Sequence, residues 1–156
     1  MIIQSTEIEA FKGQLTLKDV ENELLKHEQV EIPTTHSFMG GVYVREIFIP
    51  EGTILIGKRH RHETCNMLVS GTLSIYMGKH LPVKTLTGPC IFPSEPGAKK
   101  MGYAQTDVIF ANIHPTEETD LEKIEDEFII PEEEYLEMTK ITEIKQIEKV
   151  VEKCHG

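Results

Sequence analysis

Between Leu55 and Gly71 the chain reads LIGKRHRHETCNMLVSG, which sets His60 and His62 one residue apart among Lys58, Arg59 and Arg61. A histidine can ligate a metal as a neutral imidazole, donate to an anion, or carry a proton near neutral pH. Lysine and arginine beside it favour the oxygens of a phosphate or carboxylate. In a strand, alternate side chains share a face, so Lys58, His60, His62, Thr64 and Asn66 point one way. Arg59, Arg61, Glu63, Cys65 and Met67 point the other. Five polar side chains in a row do not make a dry core, because each unpaired buried polar group costs about 1–3 kcal/mol. The row either faces solvent or lines a polar cavity.

Two later stretches offer partners. AKKMG supplies Lys100, and VIFANIHP puts Asn112 and His114 on one strand face. The candidate ligand-binding set is Lys58, His60, His62, Asn66, Lys100, Asn112 and His114, with Asn66 able to read a base or sugar edge. If a metal is bound, its ligands fall to His60, His62 and His114. For an anion, protonated imidazole binds better, so affinity is expected to weaken as pH rises through about 6.5. His36 and His80 sit beside turn-like residues and are expected at the surface. No G-x-S-x-G, Walker A or H-E-x-x-H pattern supports a hydrolase or kinase.

Stepping outward to the supporting elements, residues 1–29 form a lead-in with a short helix in TLKDVENELLKHE, where Thr16 and Asp19 make a capping box. Residues 30–115 change to short β-rich runs broken by Pro and Gly, without intervening helices, which predicts an antiparallel sandwich or barrel. Residues 116–156 turn helical. TDLEKIEDEF opens with Thr119 and Glu122 and aligns Leu121, Ile124 and Phe128; a second helix follows Pro131 with Met138, Ile141, Ile144, Ile147, Val151 and Cys154 three to four apart. That long apolar stripe predicts self-association through the C-terminal helix.

The chain has 156 residues and a formal net charge of -10. Glu117 to Glu137 holds eleven acids and one lysine, so the remainder is balanced. An acidic balance argues against a nucleic-acid polymer as partner, while leaving room for a local basic pocket. The acidic run is expected to be a solvated helical face. Three well-separated cysteines, Cys65, Cys90 and Cys154, suit free thiols, and no apolar run reaches a membrane span, so a cytoplasmic location is expected.

PEGTILIGKRHRHETCNMLVSG and GPCIFPSEPGAKKMGYA together resemble the two sequence motifs of the cupin family. The first motif runs Gly, five residues, His-x-His, three or four residues, Glu, six residues, Gly. Counting from Gly52 and from Gly71 places Lys58 and His60 at its histidines and Thr64 at its glutamate. In the second motif Pro96-Gly97 leads to Lys100 at the histidine position. Of the four usual metal ligands only His60 remains. The wider string is similar to small cupin-like proteins carried by tailed bacteriophages. The resemblance implies a mainly β fold: one double-stranded β-helix (jelly-roll) barrel with a short N-terminal helix and C-terminal helical segments. With two lysines at ligand positions, the expected function is non-enzymatic binding of a small anion, plausibly a nucleotide, with no cofactor; in a phage setting this would sequester a host immune signal. A metal-dependent isomerase or dioxygenase using the histidines, and a structural or assembly component, are the alternatives.

Overall fold

The computed structural model describes residues 16–77 and 82–154; in the last helix it describes side chains at 132–141, 144, 145 and 148. Residues 1–15 of the expected lead-in, His80, and the side chains of Ile147, Val151 and Cys154 lie outside the described residues. Helix α1 (Leu17–Leu24) starts as its sequence predicts: the Thr16 hydroxyl accepts from the Asp19 amide, and the Asp19 carboxylate accepts from the Thr16 amide. Its Leu24 packs on Ile54 with Val20, Val30, Ile56 and Met101 around them, which seats the helix on the barrel wall.

Among the described residues eleven strands follow: β1 (Thr34–Met39), β2 (Val42–Ile49), β3 (Ile54–Ile56), β4 (Arg59–His60), β5 (Thr64–Ser70), β6 (Thr72–Tyr76), β7 (Lys84–Thr87), β8 (Cys90–Ser94), β9 (Met101–Ala104), β10 (Val108–Pro115) and β11 (Ile129–Ile130). One antiparallel sheet has the order β1-β2-β10-β5-β8, the other β3-β9-β6-β7. From β2 to β10 the chain passes back and forth between the sheets, which is the winding of a cupin-type double-stranded β-helix. Ile47, Ile49, Leu68, Leu73, Ile75, Ala104, Val108 and Phe110 fill the space between the sheets at one end. The turn from β5 to β6 requires Gly71: its φ is +89°, and a Cβ there would lie 2.1 Å from the Asp107 carbonyl oxygen.

After residue 115 the chain turns back onto the barrel. Helix α2 (Leu121–Phe128) lies on the barrel, burying Ile124 and Phe128 beside Tyr43. Its N-cap is Asp120, one residue beyond the expected Thr119, and its carboxylate accepts from the Glu122 and Lys123 amides. Strand β11 then pairs with β4, and helix α3 (Glu132–Cys154) begins directly after Pro131. The acidic run also departs from a purely solvated face. Glu125 pairs with Lys58, Glu132 with Arg59 and Lys99, and Glu134 with Arg61. No helix among the described residues is long and apolar enough to cross a membrane, and Cys65 and Cys90 are free thiols.

Candidate ligand-binding cavity

Within each long strand of the first sheet, alternation sends one set of side chains inward: Tyr43, Arg45, Ile47 and Ile49 from β2, Thr64, Asn66 and Leu68 from β5, Phe110, Asn112 and His114 from β10. Ladder register then stacks these sets into rows across the sheet, because residues paired across strands share a face. Thr34, Ile47, Phe110, Leu68 and Cys90 form one row, mostly apolar. The next is His36, Arg45, Asn112, Asn66 and Phe92. A third sets Phe38, Tyr43 and His114 side by side. The barrel therefore encloses a cavity of about 540 Å³ with an apolar floor, a polar belt and an aromatic mouth. Helix α2 roofs it with Leu121, Ile124, Glu125 and Phe128.

The polar belt is organised by Asn66, whose solvent exposure is 0%. Its amide nitrogen donates to the carbonyls of Thr64 and Phe92, both at 3.1 Å. Its Oδ1 accepts from Lys100 Nζ at 3.1 Å and from Asn112 Nδ2 at 2.9 Å. Lys100 can only donate here, so the Asn66 oxygen must face it. Asn112 must in turn present its nitrogen to that oxygen, which leaves Asn112 Oδ1 as an acceptor for the cavity. Lys100 Nζ donates a second bond to Ser94 Oγ at 3.1 Å.

His60 is oriented in the same way. The Thr64 hydroxyl donates to the His62 carbonyl at 3.2 Å and lies 2.8 Å from His60 Nδ1. With its proton committed, the hydroxyl accepts from Nδ1–H, so the uncharged ring keeps Nε2 as an acceptor. His114 stands edge-on to His60 at 5.2 Å between centroids and packs on Phe128 at 4.5 Å and Tyr43 at 5.9 Å. Among the described residues neither of its ring nitrogens has a hydrogen-bond partner. Burial, then Lys100 and other nearby positive groups, pushes His60 down to about 3; burial, Lys100 and Arg45 push His114 down to about 4. Both imidazoles are held neutral at physiological pH, so neither His60 nor His114 carries the expected weakening of anion binding near pH 6.5. Burial lowers Lys100 to about 8, which brings it closer to neutrality than an ordinary lysine.

The residues expected from sequence divide three ways. His60, Lys100, Asn112 and His114 converge on the cavity. Asn66 sits behind it: all four of its hydrogen-bonding positions are taken by protein groups, so it positions Lys100 and Asn112 and does not meet a ligand itself. Lys58 is at the rim, exposed and paired with Glu125. His62 is outside. The chain bends at 61–63 between β4 and β5, interrupting the alternation at His62, and the exposed imidazole meets Phe128 edge-on at 6.2 Å. His36 is exposed as expected, yet it also lines the cavity, with Nδ1 2.9 Å from the Tyr43 hydroxyl.

Sequence reasoning missed Arg45. The signal was present in VYVREIFI, where Arg45 falls on the parity of Tyr43, Ile47 and Ile49, an arginine on an otherwise inward face. Among the described residues it has no carboxylate partner. A divalent cation does not fit this donor set: His62 is outside, Lys100 places positive charge within the belt, and no group of three or more His, Cys, Asp or Glu converges among the described residues.

No family model and no curated protein matches the chain. Among solved structures it is similar to a cupin superfamily protein from Desulfitobacterium hafniense, at 8% identity and a TM-score of 0.46 over 58% of this chain and 83% of that one. It is also similar to an RmlC-like cupin family protein with a double-stranded β-helix fold from Methanocaldococcus jannaschii (10% identity, TM-score 0.46, 55% and 81% of the two chains). A conserved protein with a double-stranded β-helix domain from Klebsiella pneumoniae matches at 17% identity and a TM-score of 0.48 over 62% and 87%. These likenesses concern the barrel and transfer no ligand or reaction.

Proposed function

We propose that this chain is a small-molecule-binding barrel whose cavity holds an organic anion without consuming it. The observation that carries this reading is that Arg45 and Lys100 line the cavity with no carboxylate partner among the described residues, while Lys58 beside them is neutralised by Glu125. Desolvated cations without counter-ions are costly, and an anion relieves that cost. Asn112 Oδ1 and His60 Nε2 are acceptors for a donor group on the same ligand, and the apolar floor suits an aromatic or aliphatic body. A nucleotide meets these demands, with phosphate on the cations and a base edge at Asn112. Sequestration followed by intact release is the role that follows, including the sequestration of a signal nucleotide that the phage resemblance raises.

Calorimetry against inorganic phosphate, mono-, di- and cyclic nucleotides and aromatic carboxylates tests the reading. Two or three charge-assisted bonds of about 1.5–3 kcal/mol each, with apolar contact, support roughly micromolar binding, near -8 kcal/mol. Binding of uncharged analogues as tightly as anions, or chemical change in the recovered ligand, overturns it.

Self-association through α3 belongs to the same proposal. Leu136, Ile141 and Ile144 are exposed on that helix. Acids crowd its first turn, and the exposed apolar row beyond them is the surface a second copy would cover. Light scattering on the full chain at micromolar concentration is expected to give a dimer; a monomer overturns this part.

A further inference from the structure

Lys100 is placed for more than charge. We infer that it captures carbonyl-bearing organic anions, 2-oxo acids above all, as a reversible imine on Nζ, with Arg45 holding the acid group. This rests on the reading of the cavity as an anion site and names the class of anion.

The geometry is that of a lysine held for reaction. Of the four tetrahedral positions on Nζ, one is Cε, one donates to Asn66 Oδ1 and one to Ser94 Oγ. No described residue claims the fourth, and Lys100 lines the cavity. Both partners are neutral, so neither stabilises the ammonium as a carboxylate does. Burial brings the side chain to about 8, which leaves about a tenth of it as amine at pH 7, far more than an ordinary lysine has. Desolvation is one of the ways a lysine amine is made nucleophilic, and burial is what acts on Lys100. In the amine form, the fourth position is the lone pair.

In the reaction, the nitrogen pair forms the N–C bond while the carbonyl π pair moves to oxygen. Both amine hydrogens end on that oxygen, which leaves as water, and a proton taken up by the imine nitrogen gives the iminium. His60, with Nε2 free to accept, and His114, whose ring nitrogens have no partner among the described residues, face the cavity uncharged and can hydrogen-bond the departing water. Hydrolysis reverses every step, no oxidant or reductant is needed, and the ligand is returned intact.

Full-length protein is incubated with phenylpyruvate and sodium cyanoborohydride, which reduces the iminium to a stable amine, and the product is mapped by intact mass and peptide analysis. The expected result is one adduct per chain, on Lys100, formed at least 10-fold faster than on the exposed Lys84. Arg45→Met is expected to slow labelling of Lys100 at least 10-fold. Adducts that appear on surface lysines as fast as on Lys100 overturn the inference. Phenylpropanoate, the same acid without the keto group, is titrated in parallel by calorimetry. If it binds and phenylpyruvate does not label Lys100, imine capture is wrong and the anion site stands. If neither occurs and the phosphates and nucleotides titrated above do not bind either, the anion site is wrong as well. Labelling of Lys100 that Arg45→Met leaves unchanged overturns the assignment of the acid group.

Discussion

Lys99 and Lys100 are consecutive and almost equally buried, at 6% and 8% exposure, yet their surroundings differ in kind. Lys99 reaches Glu21 of α1 at 3.0 Å and Glu132 of α3 at 3.4 Å, tying both helices to the barrel. Lys100 turns the other way and meets the amide of Asn66 and the hydroxyl of Ser94. The first cation is neutralised and acts as a clamp. The second is solvated only by dipoles, so its charge remains available to whatever enters the cavity. Arg59 and Arg61 extend the first pattern. Arg59 pairs with Glu132, donates to the Gly97 carbonyl and stacks 3.7 Å over the Tyr135 ring; Arg61 holds both oxygens of Glu134. Arg45 extends the second. Among these five basic residues, an acid from the terminal helices reaches the three braces and does not reach the two that line the cavity.

The largest expected effect is on the pH dependence of stability. His60 and His114 are held uncharged partly by Lys100, with folded values near 3 and 4 against about 6.5 unfolded. The unfolded chain binds more protons between those limits, so the fold loses stability as pH falls from about 6.5. The loss by pH 4.5 is about 4 kcal/mol for the two groups together. Denaturant melts at stepped pH measure it. Lys100→Met removes the repulsion and is expected to make the decline shallower; an unchanged decline breaks the link between that lysine and the imidazoles.

Asn66→Ala comes next, with a destabilisation of about 3 kcal/mol, since four hydrogen bonds are lost and Lys100 keeps only Ser94. The same melts measure it, and a loss below about 1 kcal/mol would show that Asn66 is no hub.

Lys99→Met and Lys100→Met test the opening contrast directly. Lys99→Met strands two partly exposed carboxylates and is expected to cost about 2 kcal/mol of stability while leaving anion affinity within a few-fold. Lys100→Met is expected to change stability by less than about 1 kcal/mol and to weaken anion binding about 100-fold, because a desolvated charge is removed along with its ligand contact. Anion affinity of the unaltered protein is expected to fall as pH climbs through about 8, where Lys100 loses its proton. Calorimetry across pH 6 to 9 checks that window. The smallest effect is expected from Arg61→Ala, whose ion pair is at the surface and is screened by water and salt. Its unfolding midpoint and its anion affinity should both match those of the parent.

Local rules made much of this molecule readable from its residues. The capping box at Thr16, the strands bounded by Pro and Gly, and the alternation that sends Asn66, Asn112 and His114 inward each depend on neighbours within a few positions. Arg45 was legible by the same alternation and was overlooked because no motif contains it. The bend at 61–63 was not legible, since the alternating row through His62 holds only while the strand continues, and the strand stops where β11 comes in to pair with β4. Nor could any local pattern tell Lys99 from Lys100 or reveal that Lys58 is neutralised: the deciding partners lie 78, 34 and 67 residues away, at Glu21, Asn66 and Glu125. The sequence by itself determined the barrel, its inward parity and the basic character of the region. Only the tertiary structure decided which cations are cancelled, because a charge is neutralised by what lies within a few ångströms, and chain neighbours do not specify that distance.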